Sequence, residues 1–237
     1  MTSDPDERTT ATGYDLWAPL YDDADPSTWL DEPFLLEQLQ PFPGCRILDL
    51  GCGTGRYLRL LPPGSYRVTA MDLSLGMLSR ARAASGRIDT AWVQGSATSL
   101  PFQVRSFDRI MSGLVLDHVA SPGQLFRGIA GMLSPRGRAV VAGVHPEMQR
   151  VTGPDIDVAN EQSVVRIHGH IHEVTELLAA VRQANLTVDA IEEPPVTRAM
   201  VERRPAWKRK LGCPALILLA LESPREPASL HSSESSG

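Results

Sequence analysis

The stretch that most constrains this chain is residues 47–61, ILDLGCGTGRYLRLL. An apolar run breaks into three glycines and resumes with the spacing of a helix. A buried strand, a glycine-rich turn and a helix in that order cradle a nucleotide-like ligand. Gly51, Gly53 and Gly55 are the candidate cradle, since glycine tolerates positive φ and lacks the Cβ that would bar a ligand from the turn. A dinucleotide fingerprint runs G-x-G-x-x-G, with a pyrophosphate on the helix N-terminus. Here the glycines read G-x-G-x-G, one residue shorter, and Asp49 stands two residues before the first. A carboxylate that close repels a pyrophosphate and attracts a cation. A second acid, Asp72, follows 23 residues later at the end of the next predicted strand, where a carboxylate accepts hydrogen bonds from a ribose diol. The two acids describe a nucleoside with a positively charged tail and no phosphates.

The rest of the chain repeats the same unit. Apolar runs predict strands at 46–50, 66–71, 90–94, 107–112, 138–144, 187–192 and 215–221, with helices at 55–61, 75–84, 122–133 and 172–184. Ser74 is the expected N-cap of the second helix. Strand and helix in alternation imply a mostly parallel sheet covered on both faces. Two segments break the rhythm: the aromatic stretch 14–34 and the stretch 145–171 after the fifth strand. Insertions over the carboxyl ends of strands are where such a sheet carries its substrate apparatus, so the two are the candidate lid and acceptor pocket. The polar segments 1–13 and 223–237 are expected to be disordered.

Composition excludes several classes. The 237 residues carry a net charge of −5, and the one basic cluster, RRPAWKRK at 203–210, reads as a solvated loop, so no nucleic-acid footprint is present. The three cysteines have no ligand spacing, which argues against a disulfide framework or a structural zinc site. No apolar run is long enough to span a membrane and the first residues do not resemble a signal peptide, so a cytoplasmic location is expected without membrane insertion.

ILDLGCGTGRYLRLL, followed by MDLSLGMLSRAR, VQGSATSLPFQVRSFDRIMSGLVLDHV and GMLSPRGRAVVAGVHPEM, resembles the class I S-adenosylmethionine-dependent methyltransferases. Among these it is most similar to the small-molecule branch that includes the ubiquinone/menaquinone C-methyltransferases. The resemblance runs from about residue 14 to 221. It implies an α/β, Rossmann-like fold: a seven-stranded, mostly parallel sheet of order 3-2-1-4-5-7-6, last strand antiparallel, with helices on both faces. It also implies one domain over 14–222, a lid over 14–40 and a substrate-side insertion over 145–171.

Residue roles follow from the resemblance. Gly51, Gly53 and Gly55 would admit the methionine part of the cofactor, with Asp49 near its ammonium; Asp72 would hold the ribose, and Leu73 and Met77 would flank the adenine. GSATSLPF fits a stretch that usually carries an aspartate for the adenine amino group; this chain has Ser96 there, leaving its hydroxyl or the backbone of Ala97 to serve. YDLWAPLYDD matches a lid pattern in which Tyr14 and Tyr21 close over the cofactor with Trp17 on the acceptor side.

Methyl transfer to a small-molecule acceptor, at oxygen, carbon or nitrogen, in natural-product or quinone-like metabolism, is the implied activity, with S-adenosyl-L-homocysteine as product. Chemistry then requires alignment, exclusion of water and, for some acceptors, a base. His118 and His145, near the ends of the fourth and fifth strands, are the candidate bases, and Asp117 is a candidate to orient one. HGHIH at 168–172 has a metal-like spacing only if it is a strand, and no other ligands support a metal. The segment SGLVLDHV lacks the N/D-P-P-Y/F/W run of enzymes that methylate nucleic acids and proteins, which points to a small acceptor and away from nucleic acid. A homodimer is left open. A cofactor-binding protein that does not methylate (a pericyclase-like catalyst or a regulatory module) and a nicotinamide-dependent oxidoreductase are the alternatives.

Overall fold

A computed structural model describes residues 5–24, 30–86, 89–159 and 164–223. Seven strands form one sheet: β1 (Arg46–Leu50), β2 (Arg67–Asp72), β3 (Thr90–Gln94), β4 (Phe107–Gly113), β5 (Leu133–Val144), β8 (Thr187–Glu192) and β9 (Leu216–Glu222). Their spatial order is β3-β2-β1-β4-β5-β9-β8. The pairs β1–β2, β2–β3, β1–β4 and β4–β5 are parallel, while β9 runs antiparallel to both β5 and β8. Numbered along the chain, this is the expected 3-2-1-4-5-7-6 arrangement.

The central strands are apolar on both faces, so successive residues feed two different cores. Ala139, Val141, Ile217 and Leu219 join one cluster, Val140, Ala142, Leu216 and Leu218 the other. Helices α6 (Pro122–Met132) and α8 (Val174–Gln183) cover the first face with Leu125, Phe126, Ile129, Leu177 and Val181, at spacings that put each set on one side of its helix. Helices α3 (Glu32–Leu39), α4 (Arg56–Leu60) and α5 (Leu75–Ala84) cover the other with Phe34, Leu35, Tyr57, Leu58 and Leu78. Ser74 caps α5 by accepting the Met77 N–H at 3.0 Å.

The two irregular segments have structure of their own. Helix α1 (Pro5–Trp17) and the short α2 (Tyr21–Ala24) occupy the N-terminal segment. Helix α7 (Pro146–Thr152) and the antiparallel hairpin of β6 (Ile156–Ala159) and β7 (Val164–Ile167) occupy 145–171. The expected disorder over 1–13 is corrected from Pro5 onward. Thr10 and Gly13 are buried, and Gly13 lies so near β7 that a Cβ there would stand 2.4 Å from Ile167 Cγ1. The helix is held by packing that its own polar sequence does not announce. Of the expected disordered tail, Ser223 is described, donating its N–H to the Gly137 carbonyl at 3.0 Å; residues 224–237 lie outside the described residues.

Candidate active site

The carboxyl ends of β1 to β4 open into one cleft, with about 730 Å³ of empty space including its open mouth. Its walls come from four loops and from α1, which lies across the opening: Gly51 and Gly53 after β1, Asp72, Leu73 and Met77 after β2, Ser96 and Ala97 after β3, His118 after β4, and Tyr14 from α1 with Tyr21 beyond it. These sequence-predicted residues are therefore brought together.

The glycines divide by role. Gly51 has φ +73°, and a Cβ there would meet Val115 Cγ2 at 2.1 Å; Gly53 has φ +53° and open space beside it. Gly55 does not line the cleft. It also has positive φ, but its Cβ position faces Ala81 of α5 at 3.2 Å, so it permits helix packing and not the ligand approach expected of it.

The two acids also differ. Asp72 borders the cleft with Oδ2 accepting the Gly53 N–H at 2.8 Å and Oδ1 the Ser74 N–H at 2.9 Å. Burial pushes its carboxyl up to about 6, against the lowering effect of those N–H groups. Each oxygen keeps a lone pair for a further donor such as a ribose hydroxyl. Asp49 sits beneath the loop, fully buried, and neither of its oxygens has a hydrogen-bond partner among the described residues. Burial first, and the Asp72 charge second, raise its carboxyl to about 8. A buried carboxyl without a donor is costly unless something satisfies it, and an ammonium group would. With the bare glycine cradle above it, the site fits a cationic nucleoside.

At the other side of the cleft the Tyr14 hydroxyl lies 2.7 Å from His118 Nε2, the rings edge to face at 5.3 Å between centroids. Burial lowers the His118 imidazole to about 4 and raises the Tyr14 phenol well above its ordinary value, so both are neutral near pH 7. Trp17 stacks on Tyr14 at 5.9 Å and meets Tyr21 edge-on at 5.0 Å. It does not line the cleft, so the acceptor-side place expected for Trp17 is corrected to one supporting the two tyrosines.

His145 is corrected as well. It follows β5 and caps α7, its Nδ1 accepting the Glu147 N–H at 3.2 Å and its Nε2 lying 3.1 Å from Glu193 Oε1. It is buried with both ring nitrogens engaged, away from the cleft, a role foretold by the proline that follows it. Asp117 turns from His118 to the β5–α7 corner, where its oxygens accept the Val144 N–H at 3.1 and 3.2 Å; burial raises its carboxyl to about 7. Tyr14, not Asp117, is the partner of His118.

The segment HGHIH is a connector. His168 Nδ1 lies 3.5 Å from Asp155, the His170 N–H donates to the Asp117 carbonyl, and His172 Nε2 lies 2.8 Å from the Val119 carbonyl oxygen. The described residues contain no group of three His, Cys, Asp or Glu side chains placed to hold a metal.

Sequence reasoning missed Glu7 and Thr98, which also line the cleft. Ser96 Oγ donates to Glu7 Oε1, Thr98 Oγ1 donates to the same oxygen at 2.8 Å, and the Thr98 N–H donates to Ser96 Oγ at 3.1 Å. Ser96 thus spends its proton on Glu7 and one lone pair on the Thr98 N–H, so besides the acceptor role expected of its hydroxyl it holds a carboxylate. The i, i+3, i+7 spacing of Glu7, Thr10 and Tyr14 on α1 was the available signal, hidden by the expectation of disorder.

Comparison with known proteins agrees with this geometry. Residues 48–141 match the family described as methyltransferase domain. The chain is 33% identical over 151 residues to the biotin biosynthesis bifunctional protein BioHC of Cellvibrio japonicus, covering 62% of this chain and 29% of that protein. It is 31% identical over 143 residues to the demethylmenaquinone methyltransferase of Renibacterium salmoninarum, covering 58% and 59%. The chain thus spans less than two thirds of either relative. Among solved structures, an S-adenosylmethionine-dependent methyltransferase from Mesorhizobium loti superposes with a TM-score of 0.66 at 27% identity, covering 84% of this chain and 99% of that one. No helix among the described residues is long and apolar enough to cross a membrane.

Proposed function

We propose, from the premise that the chain carries a methyltransferase domain of the S-adenosylmethionine-dependent kind, that it transfers a methyl group to a small-molecule acceptor. The observation that carries the reading is the single cleft joining the bare backbone of Gly51 and Gly53 and the Asp72 carboxylate to a neutral His118 under an aromatic cover, with the unpartnered Asp49 buried beneath its glycine loop. When bound, the cofactor supplies a methyl group on a sulfonium, a leaving group that needs no activation by the protein.

The chain's own residues do the rest. Asp49 neutralises the ammonium, Gly51 and Gly53 admit the amino-acid tail, and Asp72 accepts from the ribose hydroxyls. Leu73, Met77 and Ala97 wall the base. Helix α1 and Tyr21 cover the cleft and keep water out, which sharpens every electrostatic contact inside. His118 receives the acceptor's proton at Nε2 once Tyr14 gives up that position. An imidazole held near 4 is a weak base. It suits an acceptor whose proton turns strongly acidic as the new bond forms, as a hydroxyl oxygen's does, and it suits poorly an amine, whose methylated product remains a weak acid. We therefore read the acceptor as an oxygen nucleophile.

Calorimetry with S-adenosylhomocysteine and a labelled-methyl assay on small hydroxylated acceptors test this. The wild-type chain should bind the product, and Asp72→Ala should weaken binding about tenfold or more, the loss of a charged hydrogen-bond acceptor costing roughly 1.5–3 kcal/mol. No binding by the wild type refutes the function, and unchanged affinity in the variant refutes the ribose contact. Recovery of intact S-adenosylmethionine beside a converted acceptor would instead establish the non-methylating alternative.

A further inference from the structure

The region of the cleft beyond Asp72 is built for one more recognition event. A nucleoside whose cationic tail lies over Asp49 and whose ribose lies at Asp72 must place its base farther along, between Leu73, Met77 and Ala97. These walls are apolar and can grip the faces of a flat ring, but they carry no side chain that distinguishes one base edge from another. The polar group at that end is the Glu7 carboxylate, reaching in from the first turns of α1. It is fixed from behind: the hydroxyls of Ser96 and Thr98 both donate to Oε1, and Ser96 is itself oriented by the Thr98 N–H. Both bonds go to one oxygen, so Oε2 is not engaged by them. A carboxylate is an acceptor only, and it favours a base edge that presents an N–H donor over one that presents a carbonyl.

We propose that Glu7 is the acceptor for the exocyclic amino group of the cofactor's adenine, so that the base is identified by the covering helix and not by the loop after β3. The inference rests on the function proposed above. Ser96 and Thr98 then act as positioning residues for Glu7. Seven residues on, the same face of α1 carries Tyr14 to His118, so one helix face reads the base at one end of the cleft and covers the reacting end at the other. Base recognition and closure become one event. A ligand with the wrong base edge would fail to seat the helix as well as losing a hydrogen bond.

The test is calorimetric titration of the full chain and of Glu7→Gln and Glu7→Ala with S-adenosylhomocysteine and with S-inosylhomocysteine, whose base carries a carbonyl in place of the amino group. The wild type should prefer the adenosyl ligand by about tenfold or more. Glu7→Gln, whose amide both donates and accepts, should lose that preference chiefly by weakening the adenosyl ligand, and Glu7→Ala should lose it without gaining the inosyl one. Melting temperatures without ligand confirm that both variants are folded. Preference retained in either variant overturns the proposal. Equal weakening of both ligands also overturns it, since Glu7 would then only seat the helix. In both cases wild-type binding leaves the proposed function standing; a wild type that binds neither ligand removes both.

Discussion

Asp49→Asn is the most searching perturbation of the buried acid. The Asp49 carboxyl is 0% exposed, has no hydrogen-bond partner among the described residues and sits at about 8 in the folded chain, raised by burial and then by Asp72. An unfolded aspartate titrates near 3.9, so between about pH 4 and about pH 8 the folded state keeps a proton that the unfolded state has released. Stability therefore falls as pH rises through that window and levels off above it. For a rigid, dry environment the loss between pH 5 and pH 8 would be on the order of 3–4 kcal/mol; relaxation and water entry reduce it, and we expect at least ~1 kcal/mol. In a chain of this size that is a fall of at least ~2–4 °C in melting temperature. Asparagine keeps the shape and the buried polar atoms but cannot titrate. Asp72 and Asp117 slope the same way and remain in both proteins, so the wild-type minus variant difference reports Asp49 together with its coupling to Asp72. The assay is thermal melting from pH 4 to 9, with and without saturating S-adenosylhomocysteine. The difference should change with pH in the free protein and flatten when the ligand's ammonium favours the ionised carboxylate. A difference independent of pH refutes the buried-acid reasoning; a slope unmoved by ligand refutes the pairing with the ammonium.

Two contrasts test other parts of the site. His118→Ala should slow methyl transfer on the order of 10²-fold while product affinity stays within about twofold. His145→Ala should instead leave the rate alone and cost about 0.5–2 kcal/mol of stability through the lost cap of α7, read as a lower melting temperature. Gly51→Ala combines a φ of +73° with a Cβ 2.1 Å from Val115, and should cost well over ~1 kcal/mol, whereas Gly53→Ala meets open space and should cost only its backbone strain of roughly 1 kcal/mol. Val115→Ala added to Gly51→Ala should restore part of the lost stability by giving the new methyl room; no recovery would refute the steric account.

What the sequence made legible is the part that local rules control. Strand and helix succession follows from hydrophobic period, and residues such as Gly51, Gly53, Asp72 and Ser74 reveal themselves because backbone conformation or position at a strand end demands those side chains. His145 and Gly55 show the limit of that logic. Each stands where a functional residue is expected, yet His145 turns to cap α7 and Gly55 to admit α5, and only the tertiary path of the chain separates a cap from a base. His118 could be placed near the cleft from the end of β4, but its partner, Tyr14, comes from 104 residues away.

The N-terminal helix carries this furthest. Its middle, Thr9, Thr10, Ala11, Thr12 and Gly13, is poor in strong helix formers, because β-branched residues and glycine lose more freedom than they recover in isolated helix. Local propensity therefore argues for disorder. Yet the small residues that weaken the helix are those its surroundings require: a side chain at Gly13 would collide with Ile167 of the hairpin, and Thr10 is buried against the cleft. Farther along, Asp15 accepts from Ser74 Oγ at 2.6 Å and from the Gly76 N–H at 2.7 Å, tying the helix to the start of α5 beside Asp72. The helix is thus fastened to the loop after β3 by Glu7, to the loop after β4 by Tyr14, to the start of α5 by Asp15 and to the hairpin by Gly13. A segment ordered by such contacts contributes little helix stability of its own. The same weak propensity is what conceals the helix in the sequence.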